Sequence, residues 1–121
     1  RLTEHWQTGT RAVPWNLELQ PQVFVEMSHE LASQKKIKAG ERVRVESPRG
    51  QLECTAVVTH RFKPMKIAGH TVHQIGIPWH FGWRWPAGGT EESANILVAT
   101  ATDPVSEIPE YKAFMVNVYK K

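Results

Sequence analysis

A single cysteine in 121 residues leaves this chain without an intrachain disulfide or a cysteine-only metal cage. That thiol, Cys54, lies in Gln51-Leu52-Glu53-Cys54-Thr55-Ala56-Val57-Val58-Thr59. Leu52, Cys54, Ala56 and Val58 share one face of a strand, so Cys54 reads as a small buried hydrophobe and not as a nucleophile. The apolar runs are too short and too often broken by charge to span a bilayer as a helix. A leader with a basic start and an apolar middle is likewise missing. The chain contains no Gly-x-Ser-x-Gly, no phosphate-binding P-loop and no Rossmann glycine signature, and it has neither internal repeats nor low-complexity tracts.

A complete catalytic constellation is also lacking. His70 and His73, with His80 nearby, could suggest a metal pair, but at that spacing two histidines on a strand face opposite ways. Ser106, Asp103 and His80 have no sequence context that supports a triad. Glu91 and Glu92 are adjacent and read as a solvated pair, not as an acid and a base. The reading therefore assigns no catalytic residue and no metal ligand to this chain.

What is present suits one ordered domain, since the chain is long enough to close a core unaided and its composition is ordinary, 40% hydrophobic and 22% charged. The net charge of +3 is spread over scattered lysines and arginines. Such a balance suits a polyanionic ligand such as a pyrophosphate, and equally weak binding of nucleic acid.

Local patterns are clearest between Ser28 and Thr59. Ser28 is an N-cap, Glu30 lies in the first turn, and Leu31, Ala32 and Lys35 continue a short helix. Gly40 permits the turn that follows. Arg42-Val43-Arg44-Val45-Glu46 alternates polar with apolar, Ser47-Pro48-Arg49-Gly50 carries turn chemistry, and Gln51 to Thr59 alternates again, which predicts a hairpin. Further strands are expected over Val23 to Glu26, Thr71 to Ile77 and Phe114 to Tyr119. From His80 to Glu107 the chain is rich in Gly, Pro, Thr and Trp with little periodicity, a stretch suited to ligand contacts.

Three separated segments carry the chemistry of binding, the third running from Asn95 on to Lys112. Arg1-Leu2-Thr3-Glu4-His5 leads into Thr8-Gly9-Thr10-Arg11, a strand end whose backbone N–H groups, hydroxyls and guanidinium can meet phosphate oxygens. Ile75-Gly76-Ile77-Pro78-Trp79-His80-Phe81-Gly82 passes from apolar residues to a His and aromatics flanked by glycines. That suits close backbone approach to a planar ring system, or a loop in which Trp79 and Phe81 cover the end of the core. Asn95-Ile96-Leu97 offers an amide that both donates and accepts, and Pro109-Glu110-Tyr111-Lys112 adds a ring and an ammonium just before the last strand.

Taken in order along the chain, with Ala32-x4-Ile37-x2-Gly40-x2-Val43-x-Val45 and Gly50 between them, these segments resemble the C-terminal molybdopterin-dinucleotide-binding domain of molybdenum and tungsten oxidoreductases. The resemblance is strongest to the catalytic subunit of formate dehydrogenases. Two positions depart from the family pattern, Val98 and Ile108 standing where it usually has Thr. The resemblance implies a mainly β fold, a double-psi β-barrel of the aspartate-decarboxylase type with short helices, formed by residues 1–121 as one domain at the C-terminal end of a larger subunit. It implies a bis(molybdopterin guanine dinucleotide) cofactor with molybdenum or tungsten, its metal ligand outside this chain. It carries Thr3, Glu4, His5, Thr8, Gly9, Arg11, His80, Phe81, Gly82, Asn95, Tyr111 and Lys112 as cofactor contacts.

The expected partners are the remaining domains of the catalytic subunit and an iron–sulfur electron-transfer subunit, without nucleic acid and without direct membrane insertion. Targeting information, to a prokaryotic periplasm or cytoplasm, is expected upstream of Arg1. Two other readings compete: a separate dinucleotide-binding subunit of another molybdenum or tungsten complex, and a single-strand nucleic-acid-binding barrel that uses its tryptophans as stacking platforms.

Overall fold

The computed structural model describes residues 13–78, residue 81 and residues 93–121. Among these, strands dominate and the helices are short. A helix α1 (Pro14–Leu19) begins with Pro at its first turn, where a missing N–H costs nothing. Strand β1 (Phe24–Ser28) runs directly into helix α2 (His29–Lys35). The hairpin strands β2 (Arg42–Glu46) and β3 (Gln51–Thr59) follow, then a small hairpin, β4 (Met65–Ile67) with β5 (His70–Val72). A 3-10 turn (Ala94–Leu97) and strand β6 (Asn117–Lys120) complete the described elements.

Ser28 does what its residue type suggested: its buried Oγ accepts from the Leu31 N–H at 3.1 Å, closing the start of α2. The helix stops at Lys36, which adopts the left-handed region at φ 56°, ψ 38°. Its N–H turns back to the carbonyls of Ala32 and Ser33.

The main sheet has the order β1-β3-β2-β6. β2 pairs antiparallel with both β3 and β6, whereas β1 pairs parallel with β3, so the chain crosses over through α2 and β2 between them. Cross-strand register stacks Val43 with Cys54 and Val45 with Leu52 and Val118, all buried. α2 adds Leu31 and Ala32, β1 adds Val25 and Met27, and Ile37 joins from the connection. Burial pushes the Cys54 thiol up to about 12, so it stays protonated and inert at neutral pH. The opposite face, carrying Arg42, Arg44, Glu53 and Tyr119, is exposed or half-exposed, and Lys35 and Arg44 each sit 5.5 Å from the Tyr119 ring centre.

Two expectations are corrected. The strand expected over Thr71 to Ile77 ends at Val72, and beyond it only Gly76 pairs, in a reciprocal bridge with Glu26 at 2.8 and 3.0 Å. A Cβ on residue 76 would stand 3.0 Å from Phe62 Cζ, so a larger residue at this crossing would require that ring to shift. The last strand begins at Asn117 and not at Phe114, although the alternation holds back to Phe114, with Phe114 and Val116 packed on the core and Met115 exposed. β4, and with it the pairing into a hairpin, and α1 have no counterpart in the sequence reading. The hairpin turn uses Ala68 and Gly69, both at positive φ, and an alanine in that role is a weak signal.

Candidate functional site

Of the residues expected to hold a ligand, Thr3, Glu4, His5, Thr8, Gly9, Arg11, His80 and Gly82 lie outside the described residues, as do Trp79 and the Glu91–Glu92 pair. Phe81, Asn95, Tyr111 and Lys112 are described. Phe81 is buried among the core residues.

Asn95 belongs to the 3-10 turn Ala94–Leu97, which Ser93 caps by accepting from the Asn95 N–H at 3.4 Å. Ala94, Leu97 and Val98 face inward and are buried, which leaves the Asn95 side chain on the outer face. The turn rests on the tip of the β2–β3 hairpin. There, Ser47 braces its own turn by accepting from the N–H groups of Arg49 and Gly50 at 3.0 and 3.3 Å, and its own N–H donates to the Gly50 carbonyl at 2.9 Å. Arg49 Nη1 reaches across and donates to Thr100 Oγ1 at 2.8 Å.

From Ala99 to Lys112 the chain makes a loop that closes on itself. Thr102 and Pro109 form an antiparallel bridge, the Glu110 N–H donates to the Ala101 carbonyl at 2.9 Å, and the Asp103 N–H donates to that of Ile108 at 3.0 Å. At the tip, Asp103 Oδ1 accepts from the Val105 N–H, the Ser106 N–H and the Ser106 hydroxyl at 3.0, 2.7 and 2.9 Å. Those bonds, the Ser106 N–H first, hold the Asp103 carboxyl below its usual range. Asp103 and Ser106 thus serve turn structure. The closure sets Pro109 and Glu110 beside Ala101 and Thr102. Glu110 Oε1 accepts from the Lys112 N–H at 3.4 Å, a local bond that shapes the start of this pair.

Tyr111, Lys112 and Asn95 are exposed, and among the described residues their side chains make no hydrogen bond. An open amide, a ring and an ammonium on a chain of net positive charge can meet a heterocyclic edge, a planar face and a phosphate respectively. That donor set fits an anionic dinucleotide. Sequence reasoning did not single out Gly50, Arg49 or Thr100 as partners of the Asn95 segment, because their contacts join residues about fifty apart in the chain. It also left out the Glu26–Arg61 ion pair, at 2.9 Å, which flanks the Gly76 bridge.

Comparison with known proteins agrees with this chemistry. The family model described as Molydopterin dinucleotide binding domain matches residues 1–115. The chain is 55% identical over 122 residues to Formate dehydrogenase subunit alpha of Megalodesulfovibrio gigas, covering 99% of this chain and 12% of that protein. It is 45% identical over 120 residues to the Formate dehydrogenase, nitrate-inducible, major subunit of Escherichia coli (strain K12), with 99% and 12% covered. The chain therefore spans about an eighth of the length of these relatives. Among solved structures, Acetylene Hydratase from Pelobacter acetylenicus superposes with a TM-score of 0.74 at 16% identity over 96% of this chain and 16% of that one, a likeness of fold.

Proposed function

Because this chain belongs to the molydopterin dinucleotide binding domain family, we propose that it is the dinucleotide-gripping domain of a formate dehydrogenase catalytic subunit, with molybdopterin guanine dinucleotide as its ligand. The observation that carries this reading is that Asn95, Tyr111 and Lys112 each present an exposed side chain that makes no hydrogen bond among the described residues, the last two at the end of the closed loop. In this reading, Asn95 hydrogen-bonds a pterin or guanine edge, Tyr111 stacks, and Lys112 pairs with phosphate. Thr3, Glu4, His5, Thr8, Gly9, Arg11, His80 and Gly82 supply the remaining contacts, with Phe81 buried in the core beside this set in sequence. The barrel is of the double-psi type, a reading supported by the parallel β1–β3 pair and its crossover.

When bound as a pair of dinucleotides around molybdenum or tungsten, the cofactor supplies the redox chemistry, formate giving carbon dioxide, a proton and two electrons for iron–sulfur clusters. The residues of this domain bind and orient it, and their hydrogen bonds tune the metal from its outer shell. The remaining domains of the subunit and an iron–sulfur subunit complete the enzyme, so the domain alone has no formate dehydrogenase activity.

The test is Lys112→Ala in the full-length subunit, compared with Lys63→Ala, which is exposed and away from the loop unit. Loss of a charge-assisted contact costs on the order of 1.5–3 kcal/mol, roughly a tenfold to hundredfold weaker hold. Metal and released guanine nucleotide per chain should fall in the first variant and not in the second. Equal cofactor content in both would remove Lys112 from the site.

A further inference from the structure

The tip of the β2–β3 hairpin meets the Asn95 turn at close range. Gly50 lies so near the 3-10 turn that a Cβ on it would come within 2.7 Å of the Ile96 carbonyl oxygen and 3.0 Å of Ile96 Cγ1. The first of these atoms is backbone and cannot swing aside. On one side of this contact, Ser47 makes the tip rigid by accepting two N–H bonds from it. On the other, Arg49 fastens the far end of the segment through Thr100 Oγ1 at 2.8 Å. Buried Ala94 and Leu97 fix the turn in depth, while Gly50 and Arg49 fix it sideways.

We propose that the Ser47–Gly50 turn is the positioning element for Asn95: Gly50, by lacking a side chain, and Arg49, by its bond to Thr100, set where the Asn95 amide stands and so how firmly it holds the dinucleotide. The proposal rests on Asn95 as a cofactor contact, as read above. Neither Gly50 nor Arg49 need touch the ligand. A side chain at position 50 must displace the 3-10 turn by a few tenths of an ångström, and a hydrogen bond from a displaced amide weakens steeply with distance and angle. Since Gly50 lies at the hairpin turn and not in the core, this displacement should leave the sheet intact.

The experiment uses the full-length subunit carrying Gly50→Ala, Thr100→Val, Asn95→Ala or Gly50→Ala with Asn95→Ala. Readouts are metal and released guanine nucleotide per chain after dialysis, the paramagnetic resonance signal of the metal centre, and the thermal midpoint. Asn95→Ala should weaken cofactor hold about two- to tenfold, the range for one hydrogen bond. Gly50→Ala should weaken it comparably, and the double variant should be no worse than either, because both changes remove the same contact. Thr100→Val, which frees Arg49 without crowding the turn, should give a smaller loss and a shifted resonance signal at an unchanged midpoint.

Additive losses in the double variant, or a loss that tracks a falling midpoint in every variant, would mean a structural role and overturn the proposal. Wild-type cofactor content in both Gly50→Ala and Thr100→Val, with a loss in Asn95→Ala, would overturn positioning while leaving the site as read. No loss in Asn95→Ala would remove Asn95 from the site, and the positioning role with it, whereas the Lys112 experiment would still stand on its own.

Discussion

In the sheet between Phe24 and Thr59 alternate side chains are buried and the backbone is paired strand to strand, whereas between Ala99 and Ala113 every residue but Pro109 is exposed and the backbone closes on itself through turns. The first region gains its stability from apolar area removed from water, a non-directional term shared across the whole core. The second depends on short-range hydrogen bonds at a few points, Asp103 to Ser106, Thr102 to Pro109 and Arg49 to Thr100. Such a loop opens locally without unfolding the frame. The difference teaches why the proposed contacts Tyr111 and Lys112 lie on the second region. A side chain offered to a ligand must stay solvated until the ligand arrives, so it cannot contribute to the core, and its placement falls to the frame beneath it.

The sharpest way to break this contrast is to weaken the frame. Leu52→Ala, at a fully buried position, should cost about 2–5 kcal/mol in chemical denaturation of the 121-residue segment, which is expected to fold alone as a mostly β domain by circular dichroism. A cost under about 1 kcal/mol would show that core burial does not hold the sheet. Ser28→Ala comes next, with a loss of about 1 kcal/mol from a buried helix cap, read from the same denaturation curves.

Two residues share the same strained backbone, Lys36 in the frame and Glu107 in the loop, both at φ 56°. Lys36→Gly should raise global stability by up to about 1 kcal/mol. Glu107→Gly relieves the same strain and should leave the global transition unmoved, slowing only amide exchange within the loop. If Glu107→Gly shifted the global midpoint as much as Lys36→Gly, the two regions would be one cooperative unit.

The smallest global effect belongs to Asp103. Its carboxyl is held below the usual range by bonds it accepts in the folded loop, so its contribution is fully present above the ordinary carboxylate range and is lost as pH falls through the lowered value. Exchange protection of the Val105 and Ser106 amides should therefore persist from neutral pH to about 5 and disappear in stronger acid. Asp103→Ala should abolish it at every pH with no change in the global midpoint. Acid-resistant protection in wild type would assign the loop's closure to some other bond.

Legibility followed the range of the interactions. The Ser28 cap, the β2–β3 hairpin and the inward face of Cys54 were readable because each depends on residues within a few positions of one another. The small hairpin escaped because Ala68 occupies a positive-φ position that usually signals itself by Gly or Asn. The strand expected through Ile77 ended early because alternation describes a face but supplies no partner, and beyond Val72 only Gly76 found one. The proposed contacts Asn95, Tyr111 and Lys112 rest on the family pattern of short segments. Gly50 as the seat of Asn95 was not legible, since a glycine after Pro-Arg already has a full explanation as a turn residue.

By itself, then, the sequence determined the residue types that can bind an anionic dinucleotide, the helix cap, the hairpin and the single inert thiol, because chemistry and periodicity are local properties. Only the tertiary structure decided that β1 lies parallel to β3, that the loop from Ala99 to Lys112 closes on itself, and that the hairpin tip abuts Ile96. Those outcomes depend on which distant surfaces bury each other best, and a close approach such as that at Gly50 exists only once both partners are in place.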